Sequence, residues 1–175
     1  MSNVLIGIIG VLLFIGLALA GALLLGDDFK AAGTDTKAAA VVQAMSQTTN
    51  AVEMYKLKTG GTLRSNDVTS THALIPRFLK AAPVNPVTKL ENIRIGDLYG
   101  GASSGTAMSI NVPLGSDDLA RNVCESIQRQ TGQIAPTASF DARNGSLASS
   151  WLATQPTSAG CIRLWNGEFY GYHRL

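Results

Sequence analysis

The sequence predicts an α+β protein in which one long N-terminal helix, an apolar half followed by an amphipathic half, packs on an antiparallel β-sheet head. Three observations lead there. Residues 1–26 contain no Asp, Glu, Lys, Arg or His, and the run stops at Asp27-Asp28. The stretch that follows Asp35-Thr36-Lys37 repeats small and apolar residues at helical spacing. Towards the C-terminus, apolar residues alternate along short runs, and Asn166-Gly167 separates two aromatic-rich segments in the manner of a hairpin turn.

The first element is long enough to span a membrane. At a rise of ~1.5 Å per residue, residues 4–26 form a helix of about 35 Å, against a hydrocarbon core of about 30 Å. A cleaved secretory signal is the competing reading. Met1-Ser2-Asn3 supplies no positive leader, however, and the apolar run exceeds the usual signal core, although Ala18-Leu19-Ala20 imitates a cleavage site. The chain therefore divides into residues 1–30, a transmembrane or filament-core helix, and residues 31–175, an amphipathic helix with a globular head of ordinary single-domain size.

In the second half of the helix, Ala38, Val41, Val42, Met45, Thr49, Val52 and Tyr55 share one face, while Gln43, Gln47, Asn50, Glu53 and Lys56 fall mostly on the other. Gly60-Gly61 ends it. One uninterrupted helix with weak points at Gly26 and Gly33 is preferred over two helices joined by a linker at Ala31-Ala32-Gly33. Residues 71–79 form a short helical candidate, with Leu74, Ile75, Phe78 and Leu79 free to dock and Pro76 in the first turns, where proline is least harmful. Pro83-Val84-Asn85-Pro86 then forces an extended connection.

Ile93-Arg94-Ile95 and a Gly- and Ser-rich turn at 100–105, read as a hairpin connection, precede residues 106–112, whose apolar alternation at Met108, Ile110 and Val112 makes them a strand. A helix follows, with Ser116 as its cap, Asp117 and Asp118 in its acidic first turn, Leu119, Val123 and Ile127 repeating every four residues, and Gly132 as its stop. Residues 133–160, rich in Ala, Ser and Thr, read as an irregular excursion. The closing hairpin runs from Cys161 through Asn166-Gly167 to Tyr172. Trp151, Trp165, Phe169, Tyr170 and Tyr172 are expected to fill the sheet core, with Tyr170 or Tyr172 the exposed exceptions.

Charge and chemistry exclude several classes. The 175 residues carry a net charge of +2 with Lys and Arg scattered, which gives no footprint of a dedicated nucleic-acid binder and leaves open only weak contact with DNA or a host surface. His72 and His173 lie far apart in the chain, and no HExxH, GxSxG, P-loop or paired CxxC occurs. Neither an enzyme nor a cofactor is expected, and His173 is read as a surface or hairpin-end residue. Cys124 and Cys161 both fall where an N-terminal anchor would leave them outside the cytoplasm. A single disulfide is the economical reading, worth about 4 kcal/mol in the chain-entropy model, with two separate buried thiols as the alternative.

The order of these elements resembles the type IV pilins, specifically the type IVb branch that includes toxin-coregulated pilins and conjugative-plasmid thin-pilus pilins. The likeness spans the whole chain. It consists of the apolar helix beginning at Met1, the amphipathic extension over 37–57, and the turn Asn85-Pro86-Val87-Thr88, which is similar to the family's Asn-Pro-Phe-Thr. A strand, a cysteine-bearing helix and a second cysteine near the end complete it, giving a C-terminal region bounded by a Cys124–Cys161 disulfide.

The resemblance implies a major pilin trimmed by an inner-membrane prepilin peptidase, methylated at Met1, and polymerised by a dedicated assembly machine into an extracellular homopolymeric filament on a bacterial surface. The absent leader agrees with numbering from the processed residue. The family's usual glutamate at the fifth mature position is replaced by Leu5, which leaves the N-terminal amine without its customary partner and keeps a minor or tip subunit in view. In such a fibre Leu5, Gly7, Gly10, Phe14, Gly16, Ala20 and Gly21 pack the filament core, where small residues let helices approach. Asp27, Asp28 and Lys30 are either register charges or simple membrane-boundary residues. A type II secretion pseudopilin is the alternative within the class, and a membrane-tethered binding domain the alternative outside it. Conjugation, adhesion, DNA uptake and motility all use this plan.

Overall fold

A computed structural model describes residues 2–61, 63, 74–89, 93–96, 109–133 and 157–175, with the side chains of 2–6 and 22–29 outside the description. Its elements are α1 (Ser2–Thr59), β1 (Arg94–Gly96), β2 (Ser109–Gly115), α2 (Asp118–Thr131), β3 (Ala159–Arg163) and β4 (Phe169–Arg174). The protein is therefore α+β, with an N-terminal helix and an antiparallel sheet in the order β1-β2-β4-β3. It divides into two compact units, Met1–Thr34 and Asp35–Leu175. The turn expected at 100–105, residues 134–156 of the excursion expected over 133–160, His72 and Trp151 lie outside the described residues; at the end of that excursion Ala159 and Gly160 already belong to β3.

Helix α1 continues through Gly26 and Gly33 as a single helix, and Gly60, at φ 66°, receives the chain as it leaves. A left-handed glycine at this position ends a helix without the penalty a Cβ would carry. In the second unit the buried positions of α1 are Ala38, Val41, Ala44, Met45, Thr48, Thr49, Ala51 and Val52, whereas Gln43, Gln47, Asn50 and Glu53 are exposed. The two buried threonines cost little because Thr48 Oγ1 donates to the carbonyl of Ala44 and Thr49 Oγ1 to that of Met45.

The sheet lies under both helices of this unit. Val41 Cγ1, Met45 Sδ and Ile127 Cδ1 stand 3.3, 3.5 and 3.6 Å from the point a Cβ on Gly171 would occupy. The missing side chain in β4 is what lets α1 and α2 converge there. Helix α2 lies against β2, β3 and β4, burying Ala120, Val123, Cys124 and Ile127.

Three local expectations are corrected. Of the helix expected over 71–79, residues 71–73 lie outside the described residues and Leu74 is helical, but the chain then passes into a turn over 75–78, in which the amides of Phe78 and Leu79 both donate to the carbonyl of Leu74 and Phe78 meets Tyr55 edge-on at 5.7 Å. Asp117, not Ser116, caps α2: its carboxylate accepts from the Ala120 amide at 2.8 Å. Strand β2 continues past Val112 to Gly115 through Pro113, with a register shift against β4 between Pro113 and Gly115. Among the described residues β1 pairs with 109–111 and stops short of Pro113, so no described strand on that side requires the missing N–H.

Asn85 takes the place of a strand there. Buried completely, it donates from Nδ2 to the Pro113 carbonyl at 2.6 Å while Oδ1 accepts from the amides of Val87 and Thr88. The Asn85-Pro86-Val87-Thr88 turn is thus folded by its own first side chain and fastened to β2 by the same group.

The hairpin joining β3 to β4 turns at Trp165-Asn166-Gly167, with Gly167 at φ 87° and the Leu164 amide donating to the Glu168 carbonyl at 2.8 Å. Its aromatic residues depart from expectation. Tyr172 is wholly buried, Phe169 and Tyr170 are half-buried, and Trp165 is the exposed one at 46%. Tyr172 faces away from Gly171 on a strand that is covered on both sides, since on that second face its hydroxyl crowds Gly160.

Candidate assembly surface

Two regions concern the candidate function: the first unit's helix surface and the stapled edge of the head. In the first unit, Ile8, Ile9, Val11, Leu12, Leu13, Phe14, Ile15, Leu17 and Leu19 are 48% to 74% exposed, with Phe14 and Leu17 the most open. At 100° per residue these positions point in every direction around the axis. Nine large apolar side chains at such exposure leave on the order of 1,000 Å² of surface in water, against the ~800 Å² per partner of a standard protein interface. Patches of that size mark a surface that binds something.

Of the residues expected in the filament core, Gly7, Gly10, Phe14, Gly16 and Ala20 are exposed and Gly21 is half-buried. A Cβ added at Gly7, Gly10, Gly16 or Gly21 would meet nothing within 4 Å. Lys30 is exposed; Met1 and the side chains of Leu5, Asp27 and Asp28 lie outside the described residues. The described side chains of the apolar stretch run over 7–21, about 22 Å of helix. Among the described residues no helix is long and apolar enough to cross a membrane.

In the head, Cys124 and Cys161 form the disulfide, with Cα atoms 5.3 Å apart and a sequence separation of 37. It ties α2 to β3, which lies at one edge of the sheet among the described residues. Two glutamines complete the seal. The Cys161 amide donates to Gln133 Oε1 at 2.8 Å, and Gln128 Nε2 donates to the Cys161 carbonyl at 2.9 Å. Side chains thereby occupy the main-chain groups that an added strand would use at this point of the edge. Gly160 makes room for them: a Cβ there would lie 2.0 Å from Gln133 Oε1 and 2.9 Å from the Tyr172 hydroxyl.

A second fastening joins α2 to α1 at the start of the head. Asp35 Oδ1 accepts from Ser126 Oγ at 2.5 Å and from Arg129 at 3.4 Å, while Gln130 Nε2 reaches the Asp35 carbonyl at 3.2 Å. Together these four residues line a shallow open groove. Nothing local in the sequence marks Asp35, Gln128 or Gln133 for these tasks, because each acts on a segment far along the chain.

His173 lies half-buried near the end of the hairpin strand β4, with Nδ1 3.1 Å from Thr49 Oγ1 and 3.0 Å from the Arg174 carbonyl. Burial raises the Tyr172 pKa above the ordinary 10.0, against smaller lowering effects of the Thr157 hydrogen bond and the Arg174 charge. Among the described residues no group of three or more His, Cys, Asp or Glu could hold a metal ion.

Neither a family model, a curated protein nor a solved structure matches the chain. What can be said of its role comes from its own residues.

Proposed function

We propose that this chain is the structural subunit of an extracellular filament of the type IV pilus kind. It polymerises through residues 1–30, with no catalytic function and no cofactor. The observation that carries this reading is the apolar surface around the whole circumference of the first unit, open at Phe14, Leu17 and their neighbours. A single partner on one side would leave the other sides in water. Only surroundings that enclose the helix satisfy it, and these are a bilayer or a bundle of like helices.

Before assembly, residues 4–26 hold the subunit in the inner membrane; afterwards they form the filament core and the head faces outward. Lipid and bundle are both apolar, so the transfer changes hydrophobic free energy little and close packing must favour the bundle. The amphipathic half of α1 then serves as the join between core and head. The covalently tied and glutamine-capped edge of β3 suits a head that works outside the cell and must not add strands from other chains. Leu5 favours a second reading, a minor or tip subunit. A subunit with none above it has no neighbouring amine for a glutamate to meet.

The test is to shear the source cells, collect long fibres and trace side chains through their density. This polypeptide forming the repeating wall is the expected result. Its recovery only from membranes, with the N-terminal helices of separate copies never in contact, overturns the proposal; its appearance at fibre ends alone selects the second reading.

A further inference from the structure

Cys161 is fixed in place by groups other than its own sulfur. It stands opposite Gly171 in β4. Its amide and carbonyl go to glutamine side chains, so this is the non-hydrogen-bonded kind of antiparallel pair, and both main-chain groups point away from β4. The flanking residues Gly160 and Ile162, opposite Tyr172 and Tyr170, keep the strand on β4. On the outward side Gln128 and Gln133 hold the residue at 2.9 and 2.8 Å. They are only 6% and 7% exposed, so water competes little for either bond.

Both glutamines belong to the segment that carries the other cysteine. Gln128 lies one turn after Cys124, on the same face of α2. Gln133 follows the left-handed cap Gly132, at φ 72°, and its amide donates to the Gln128 carbonyl at 2.9 Å. The two clamping residues are thus fixed to each other as well as to Cys161. Every bond in the clamp is made by atoms outside the cysteine side chains, so the clamp does not require the disulfide.

We infer that Gln128 and Gln133 are positioning residues for the oxidation of the Cys124–Cys161 pair: they hold Cys161 on α2, beside Cys124, while both sulfurs are still thiols. The co-reactant is a disulfide donor. The thiolate of one cysteine attacks a donor sulfur, forms a mixed disulfide and expels one donor thiolate. The thiolate of the other then attacks the cysteine sulfur of that mixed bond, which closes Cys124–Cys161 and expels the second donor thiolate. Two electrons pass to the donor, and its two thiolates take up the protons the cysteines gave up. The closing step is intramolecular, so its equilibrium depends on the freedom the reduced pair must surrender. In an unfolded chain that freedom includes closing a loop with a sequence separation of 37. With the clamp in place the cysteine backbones are already fixed. The inference concerns the head alone and does not rest on the filament reading.

In the experiment the detergent-solubilised full chain is reduced, then equilibrated without air in mixtures of reduced and oxidised glutathione. Alkylation of the remaining thiols gives the equilibrium constant for closing the bond. Gln128→Met with Gln133→Met keeps side-chain length and removes both hydrogen bonds. Gln130→Met is the control, because that residue also lies on α2 but reaches Asp35 and not β3. The constant is expected to be several-fold lower in the double variant than in wild type and unchanged in the control, with the difference abolished in concentrated urea. Equal constants for wild type and the double variant, the same loss from Gln130→Met, or a difference that persists in urea overturns the inference. Polarity supplies a second measure, which decides the matter even where the double variant does not fold. Gln133→Glu keeps an acceptor for the Cys161 amide, whereas Gln128→Glu sets a carboxylate against the Cys161 carbonyl. A constant nearer to wild type is expected for Gln133→Glu; the reverse order, or no difference, overturns the inference.

Discussion

Gly160 has no room for a side chain. The space belongs to Gln133, whose Oε1 would sit 2.0 Å from a Cβ and which is held there by the Cys161 amide. We expect Gly160→Ala to displace Gln133, uncover the Cys161 amide and lower stability by about 1–3 kcal/mol, read as a drop in urea midpoint for the detergent-solubilised chain. Asn85 makes a stronger case, because its side chain serves Pro113, Val87 and Thr88 at zero exposure. Asn85→Ala leaves a buried carbonyl and the turn amides unserved, for an expected loss of about 2–4 kcal/mol by the same measurement, with Asn85→Asp recovering only the amide contacts. Tyr172 adds a pH dependence. Its folded pKa lies above the free value of 10.0 because burial disfavours the phenolate, so the stability it contributes is whole below pH 10 and is lost as pH rises through the folded value. Wild type is expected to lose stability in that alkaline range more steeply than Tyr172→Phe, and equal slopes would remove the effect from Tyr172.

At the scale of elements, the head is organised by how β3 and α2 share an edge. The disulfide closes a 37-residue separation, which the chain-entropy model values at about 4 kcal/mol. The glutamines act on the same strand through hydrogen bonds. Reduction alone should therefore loosen α2 from β3 without freeing the edge, whereas Gln128→Ala with Gln133→Ala in the reduced chain should free both. Hydrogen exchange at the Cys161 amide is the measurement. Little acceleration on reduction and a large one in the reduced double variant are expected; full exchange on reduction alone would assign the seal to the disulfide. The Asp35 fastening of α2 to α1 is more exposed and correspondingly weaker.

For the whole molecule, the decisive property is that one unit buries a core of apolar side chains while the other leaves its described large apolar side chains exposed. A glycine substitution in the first unit separates folding from assembly, because a Cβ at Gly7 or Gly10 meets no atom of its own chain within 4 Å. Gly7→Leu with Gly10→Leu is expected to leave the head's urea midpoint and the membrane-held pool unchanged while abolishing sheared fibres. Normal fibres from this variant would show that close approach at these glycines plays no part. The same logic gives Leu5→Glu a clear readout: markedly better assembly would mean that the N-terminal amine lacked a partner.

The helical parts of this protein were determined by short-range pattern. The run of buried positions from Ala38 to Val52, the stop at Gly60 and the α2 repeat of Val123 and Ile127 follow from spacing within a few turns, where backbone geometry alone sets which side chains share a face. Even there the α2 cap moved by one residue, since Ser116 and Asp117 are both good caps and only the approach of the Ala120 amide chose between them. Tertiary structure alone decided the rest. The extension of β2 through Pro113 depends on Asn85 and on where β1 ends, and the burial of Tyr172 on both faces of β4 being covered. Gln128, Gln133 and Asp35 acquired their tasks from strands and helices dozens of residues away. Such roles leave no local mark, because a hydrogen bond between distant segments constrains position in space and not spacing along the chain.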